Sequence, residues 1–251
     1  MIRWLLPLVL LALPALAEES IVSGLSQNRV SITADFDGSE ILIYGAVKRE
    51  APVPKGSPLQ VIITVEGPST PVIVRRKDRV AGIWVNNAEV RVDSAPSFYA
   101  VATTGPLSDI LSDTDNLRHR ITIERAIRAV GITGEAEQAD AFVQAMLRVR
   151  SNEDRYRVLE GAVQLTEDTL FRTDVVLPSN LTEGEYTVRL FLLREGRVVA
   201  TQERAIRVRK EGLERFIFTM AHDQPLLYGL LSLVLAGIAG WAASAAFRLI
   251  R

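Results

Sequence analysis

The sequence predicts a mainly β fold with a helical insertion (α+β): an immunoglobulin-like β-sandwich ectodomain followed by one C-terminal transmembrane helix. Three observations predict it. Residues 226–247 carry no charge and are long enough to span a bilayer as a helix. Short alternating apolar segments recur on both sides of the middle of the chain. Between them the apolar period lengthens to that of a helix.

At the N-terminus, Met1-Ile2-Arg3 precedes an apolar run, and Ala15 and Ala17 put small residues just ahead of Glu18. A basic start, a short apolar stretch and small residues before the cut predict a signal peptide over 1–17. Pro14 would break its helix just ahead of the cut. As an uncleaved helix, 4–17 would reach only about 21 Å, short of the roughly 30 Å hydrocarbon core.

Residues 18–104 read as the first β-rich part of the ectodomain. Leu59, Val61, Ile63 and Val65 alternate with Gln60, Thr64 and Glu66, with Ile62 the exception, so one face is buried. Further short strands are expected over 41–47, 72–75, 80–85, 89–93 and 98–101. Turn chemistry falls between them at Asp37-Gly38, 52–58, Gly67-Pro68 and Asn86-Asn87. Residues 105–160 form the helical insertion. A first helix is expected over roughly 115–130, a break at Gly131 and Gly134, and a second helix presenting Ala139, Phe142, Val143 and Met146 on one face. Strands return over 161–211, where Tyr186, Val188, Leu190 and Leu192 alternate with Thr187 and Arg189. Glu195-Gly196 makes the turn into a return strand over 198–208. Two β-units flanking a helical linker is the alternative arrangement.

In the juxtamembrane segment 212–225, Leu213, Phe216, Ile217 and Met220 share one helical face, suited equally to the lipid surface or to the ectodomain. The span itself covers 226–248 and leaves a cytoplasmic stub at 249–251. Tyr228 suits the outer interface, and Arg248 and Arg251 suit the cytoplasmic end. Ser232, Ala236, Gly240 and Ser244 recur at a spacing of four, a stripe of small residues that lets two helix backbones approach closely in lipid.

Composition narrows the function classes. The 251 residues include no cysteine, which removes disulfides, thiolate metal sites and cysteine nucleophiles. Setting aside Arg3, Arg248 and Arg251 leaves 26 basic residues against 30 acidic ones, a net of −4, so nothing favours nucleic acid.

Four blocks of residues resemble a known family. They are Phe36-Asp37-Gly38 with Ile41-Leu42-Ile43-Tyr44-Gly45-Ala46; Arg75-Arg76-Lys77 with Gly82-Ile83-Trp84-Val85-Asn86; Leu170-Phe171-Arg172 with Leu177-Pro178; and Pro225-Leu226-Leu227-Tyr228-Gly229 with Gly240-Trp241. Together they resemble an uncharacterised alphaproteobacterial family of single-pass transmembrane proteins with a signal peptide, a β-rich periplasmic domain and a C-terminal membrane helix. The resemblance covers most of the mature chain. It implies a Gram-negative inner membrane and a periplasmic domain, and a sulfite-exporter-like permease as a candidate partner class. It brings no catalytic residues and no cofactor.

The search for chemistry finds little. His119 and His222 are the only histidines, and no HxH, HxxxH or HExxH spacing occurs. His119 is expected as a solvated helix residue and His222 as an interfacial polar one. Asp35 to Glu40 begins like a calcium loop, but position 44 is Tyr, so the pattern fails and a β-turn accounts for Asp37-Gly38. Asp109, Asp113 and Asp115 are expected as helix-capping residues. No GxSxG, GxGxxG or P-loop is present. Arg75, Arg76, Lys77 and Arg79 form the densest basic run and, with Trp84 nearby, make either a docking patch or a solvated hairpin end. The expectation is a non-enzymatic accessory or scaffold protein of the inner membrane. Its partners would be the lipid bilayer and either a membrane protein, such as a permease, or a second copy. A periplasmic enzyme with a site between the sandwich and the helical insertion is the alternative.

Overall fold

The computed structural model describes residues 19–33, 35–50, 56–127, 136–210 and 213–249. The expected signal peptide, the break at Gly131 and Gly134, and most of the expected turn over 52–58 lie outside them. The first β segment comprises β1 (Ser20–Leu25), β2 (Arg29–Ile32), β3 (Gly38–Lys48), β4 (Gln60–Glu66), β5 (Ser69–Val80), β6 (Ile83–Pro96) and β7 (Tyr99–Thr103). The helices α1 (Leu107–Ile110), α2 (Asp113–His119), α3 (Ile123–Ala126) and α4 (Ala136–Asn152) follow. Then come β8 (Tyr156–Leu159), β9 (Gln164–Thr166), β10 (Leu170–Pro178), β11 (Gly184–Arg194) and β12 (Arg197–Lys210). Finally, α5 (Leu213–Asp223) leads into α6 (Pro225–Leu249).

Among the described residues the strands form a four-stranded sheet (β1-β3-β10-β9), a six-stranded sheet (β2-β12-β11-β4-β7-β8) and the β5-β6 hairpin. Pairing is antiparallel except at the two edges of the larger sheet, β2 on β12 and β8 on β7. Strict alternation builds the four-stranded sheet. In β10, Phe171, Thr173, Val175 and Leu177 are buried while Leu170, Arg172, Asp174 and Val176 face solvent. The buried set meets Ile41 and Ile43 of β3, and Val61, Ile63, Val65, Val188, Leu190 and Leu192 of the larger sheet, in one core.

The larger sheet is covered on its other face as well. Ile62, Tyr99, Val101, Phe191 and Leu193 point away from the first core into a second one. Ile110, Ile121, Ile123, Met146 and Leu147 from the helical region and Val92 from the hairpin close over them. Ile62 therefore breaks the alternation because β4 is buried on both faces, as strands in a middle layer are.

Several local expectations change. Over its described part, to residue 127, the helix expected over 115–130 is two short helices. Arg120, at φ 51° in the left-handed region, ends α2, and the chain restarts at Ile123. The three short strands expected over 72–93 are one long hairpin, β5-β6. Its turn is Ala81-Gly82, with φ 50° and 85°, the twist that matches a two-residue hairpin loop. Asn86-Asn87 is no turn: the register steps from Arg76↔Ala88 to Lys77↔Asn86, leaving Asn87 as the extra residue of a bulge. The Glu195-Gly196 turn is present as expected, with φ 50° and 77°. In α4, Phe142, Met146 and Leu147 are buried and Val143 packs partly against the second core.

Candidate functional site

The hairpin gathers all five candidate docking residues onto one ribbon. Arg79 lies opposite Trp84, and Arg75 opposite Glu89. The half near the domain is held inward, with Val72 and Val74 packed against the second core and Val92 within it. Further out, the Arg76 guanidinium lies 6.0 Å from the centre of the Phe142 ring. Beyond it the ribbon carries its side chains into solvent on both faces: Val80, Ile83, Trp84 and Val85 are all exposed, Ile83 by 68% and Trp84 by 66%. Trp84 is thus not a core residue. The basic residues are exposed too. Arg75 pairs with Glu89 at 3.1 Å and Arg76 with Asp78 at 3.5 Å, while Asn87 donates to Asp78 at 3.1 Å. Exposed pairs of this kind hold weakly and can exchange partners.

A buried polar network lies at the seam between the larger sheet and the helices. Arg189 donates to the carbonyl oxygens of His119 (2.7 Å) and Arg120 (3.1 Å) and to the Tyr99 hydroxyl (3.0 Å), with Glu66 at 3.8 Å. A cation is thereby set on the last carbonyls of α2, where the backbone leaves acceptors unpaired. The Tyr99 hydroxyl donates to Ile121 O at 3.0 Å, and burial pushes its pKa up to about 12. His119 is half-buried, edge-on to Phe191 at 5.7 Å and 3.9 Å from Asp115, rather than solvated as expected. Nothing in the sequence marks Arg189, which alternation places on the face opposite Val188 and Leu190.

A second unanticipated cluster fixes the first described residues. The Glu19 carboxylate accepts from Arg49 Nε at 2.8 Å and from Arg194 at 3.0 and 2.7 Å, and all three side chains are about nine-tenths buried. Arg194 also donates to Ser57 O, and Arg49 to Asp168 O. The hydrogen bond from Arg194, with that from Arg49, holds the Glu19 carboxyl below its ordinary pKa against the opposing effect of burial.

The remaining candidates resolve into local structure. Ser112 caps α2, its hydroxyl accepting from Asp115 N at 3.3 Å, and buried Asp115 faces Arg118 and His119. Asp35 is held as the anion first by its side-chain hydrogen bond with Thr33, which lowers its pKa. Among the described residues no three His, Asp or Glu side chains are placed to hold a metal ion. A shallow depression of about 210 Å³ lies where β11 begins and β12 ends, lined by Glu183, Glu185, Arg207 and Arg209 around Gly184 and Val208. Acid and base balance around it, so it offers no net field for a charged ligand. His222 is exposed, its Nδ1 lies 3.0 Å from Phe218 O, and it stacks on the Phe218 ring at 4.1 Å.

Helix α6 starts at Pro225, where the fixed φ and missing N–H suit a first helical turn. Its 25 residues reach about 37 Å. Residues Pro225–Ser244 have mean hydropathy 1.9 and no buried share, so length and composition fit a membrane span. Ser232, Ala236, Gly240 and Ser244 are all exposed, and nothing lies within 4 Å of where a Cβ on Gly240 would stand. The Ser232 hydroxyl donates to Tyr228 O at 2.8 Å, so it is satisfied within its own helix. Ahead of the span, Ile217 of α5 is exposed and Met220 half-buried; the side chains of Leu213 and Phe216 lie outside the described set.

A layered β domain carried on one apolar helix defines a membrane-anchored β protein. The chain belongs to the family described as "Putative transmembrane protein (Alph_Pro_TM)", which matches residues 20–249. No curated protein matches the sequence. Among solved structures it is similar to the sporulation control protein Spo0M from Bacillus subtilis, at 11% identity and a TM-score of 0.29, over 82% of this chain. The match spans 55% of the length of Spo0M. BslA, a bacterial hydrophobin, is similar at 11% identity and a TM-score of 0.21, over 77% of this chain and 97% of BslA.

Proposed function

We propose that the chain is a non-enzymatic accessory or scaffold protein of a bacterial inner membrane, exported by its signal peptide, that packs α6 against a membrane-protein partner or a second copy. Its immunoglobulin-like β domain stands in the periplasm and its C-terminus in the cytoplasm. The observation that carries this reading is the open face of α6. Four small residues in register leave a groove along which another backbone can approach, and packing of that kind drives helix association in lipid. Arg248 and Arg251 after the span support the orientation. The two sheets that share the first core support the sandwich.

The enzyme reading would need a cleft between the sheets and the helices. Among the described residues, side chains of the second core pack across that seam, and Arg189 donates there to the carbonyls of His119 and Arg120. The test is recovery from membranes in mild detergent, wild type against Gly240→Leu, scoring co-purified proteins and oligomer size. Gly240→Leu is expected to lose the partner or the dimer. Identical recovery by both forms would remove the helix contact from the proposal.

A further inference from the structure

Among the described residues, none buries the apolar side chains at the free end of the hairpin. Val80, Ile83, Trp84 and Val85 crowd a tip that carries no charge between Val80 and Val85, and the ribbon is exposed on both faces there. Exposed apolar clusters on a monomer mark interaction sites, and a bare two-stranded ribbon is only marginally stable in water. Behind the tip stands a basic collar: Arg75, Arg76, Lys77 and Arg79 against Asp78 alone on the same strand. Asp78 is already engaged by Arg76 and Asn87, and Lys77 makes no ion pair among the described residues. We infer that this hairpin is a membrane-docking element, its Ile83–Trp84 tip entering the interface of the bilayer that α6 spans and its basic collar meeting anionic lipid phosphates.

The spacing suits that role. Lys77 lies three residues from the end of β5, about 10 Å along the strand. Interfacial segments sink about 5–10 Å into the headgroup boundary. With the tip at that depth, Lys77 and Arg79 stand among the phosphates, and Trp84, an apolar ring with one N–H donor, sits where indoles concentrate. Register fixes the position of the hairpin base, and the direction of its tip belongs to the inference. Val208 lies opposite Gly184, Thr187 opposite Glu66, and Glu66 opposite Tyr99. Ser69 and Pro96, paired at the hairpin base, therefore share the end of the larger sheet from which β12 runs on toward α5 and α6. The inference depends on the membrane anchor and not on the helix partner proposed above.

The test uses the full chain with Trp241→Phe, and Trp4→Phe where the leader is retained, so that Trp84 is the sole indole. The protein is reconstituted into vesicles of phosphatidylethanolamine and phosphatidylglycerol. Trp84 emission should shift to the blue, resist acrylamide and be quenched by brominated acyl chains in the same vesicles. Lys77→Gln with Arg79→Gln should lower the inserted-to-free ratio about 25-fold, since each basic residue near an anionic surface contributes about fivefold. Phosphatidylcholine vesicles should act likewise. Both positions are exposed, so circular dichroism and melting should match the parent. Acrylamide-accessible Trp84 in the anionic vesicles would overturn the inference. Quenching only by brominated lipid in separately added vesicles would overturn the assignment to the chain's own membrane. Shielding in native membranes but not in lipid vesicles would overturn it in favour of a protein partner.

Discussion

The six-stranded sheet meets two different neighbours, and its two faces are built differently. Toward the four-stranded sheet it offers Val61, Ile63, Val65, Val188, Leu190 and Leu192, aliphatic side chains that interdigitate with a like surface. Toward the helices it offers Ile62, Thr64, Tyr99, Arg189 and Phe191, where rings, a hydroxyl and a guanidinium join the apolar contacts. A sheet facing a sheet has its backbone groups already paired. A sheet facing short helices must also answer for the helix ends, and Arg189 does so for α2. The second core thus carries the polar network, while the first needs little of the kind.

The strongest way to test this difference is to cut one side chain from each face of β11. Leu190→Ala is expected to lower stability by about 2–5 kcal/mol and Phe191→Ala by about 3–5 kcal/mol, read from urea melts. The form of the transition sharpens the comparison. If the two cores fold as a unit, both variants keep a single transition. If the helical layer is a separate cooperative unit, Phe191→Ala alone splits into two steps.

A smaller effect is expected at the Glu19 cluster. Glu19→Gln leaves Arg49 and Arg194 without their shared anion and should cost about 1–3 kcal/mol at neutral pH. The folded carboxyl has its pKa lowered from the ordinary value, so its contribution is present above the unfolded pKa and is lost as pH falls through the folded one. The difference between wild type and Glu19→Gln in urea midpoint should therefore be full at neutral pH and close on acidification. A difference that persists unchanged to low pH would show that the cluster acts by packing and not by charge. Smallest of all, Trp84→Ser at the hairpin tip should leave the melt within about 0.5 kcal/mol, because the ring touches neither core. A larger loss would mean that the hairpin is part of the folded unit out to its end.

Legibility followed the same division. The first core is legible in the alternation of Val61, Ile63 and Val65 in β4 and of Val188, Leu190 and Leu192 in β11, since a two-layer contact leaves a period-two trace in each strand. The second core showed only as irregularities: Ile62 out of phase, Phe191 between two inward leucines, Arg189 in a slot that looked solvent-facing. Paired asparagines at Asn86-Asn87 carry turn chemistry, whereas the actual turn uses Ala81, a residue with no preference for positive φ. The basic run and Trp84 stand out in the sequence, but whether Trp84 is core or surface depends on where the ribbon leaves the domain.

The sequence alone determined the apolar span, its small-residue stripe, the absence of cysteine chemistry and the β character of the domain. Each of these is written in composition or in a repeat only a few residues long. Tertiary structure decided that β4 and β11 lie in a middle layer, that Glu19 sits between Arg49 and Arg194, and that the hairpin carries Ile83 and Trp84 clear of both cores. Those features join residues up to 175 positions apart, as Glu19 and Arg194 are. The identity of a neighbour at that distance is set by sheet order and register, which leave no local period in the chain.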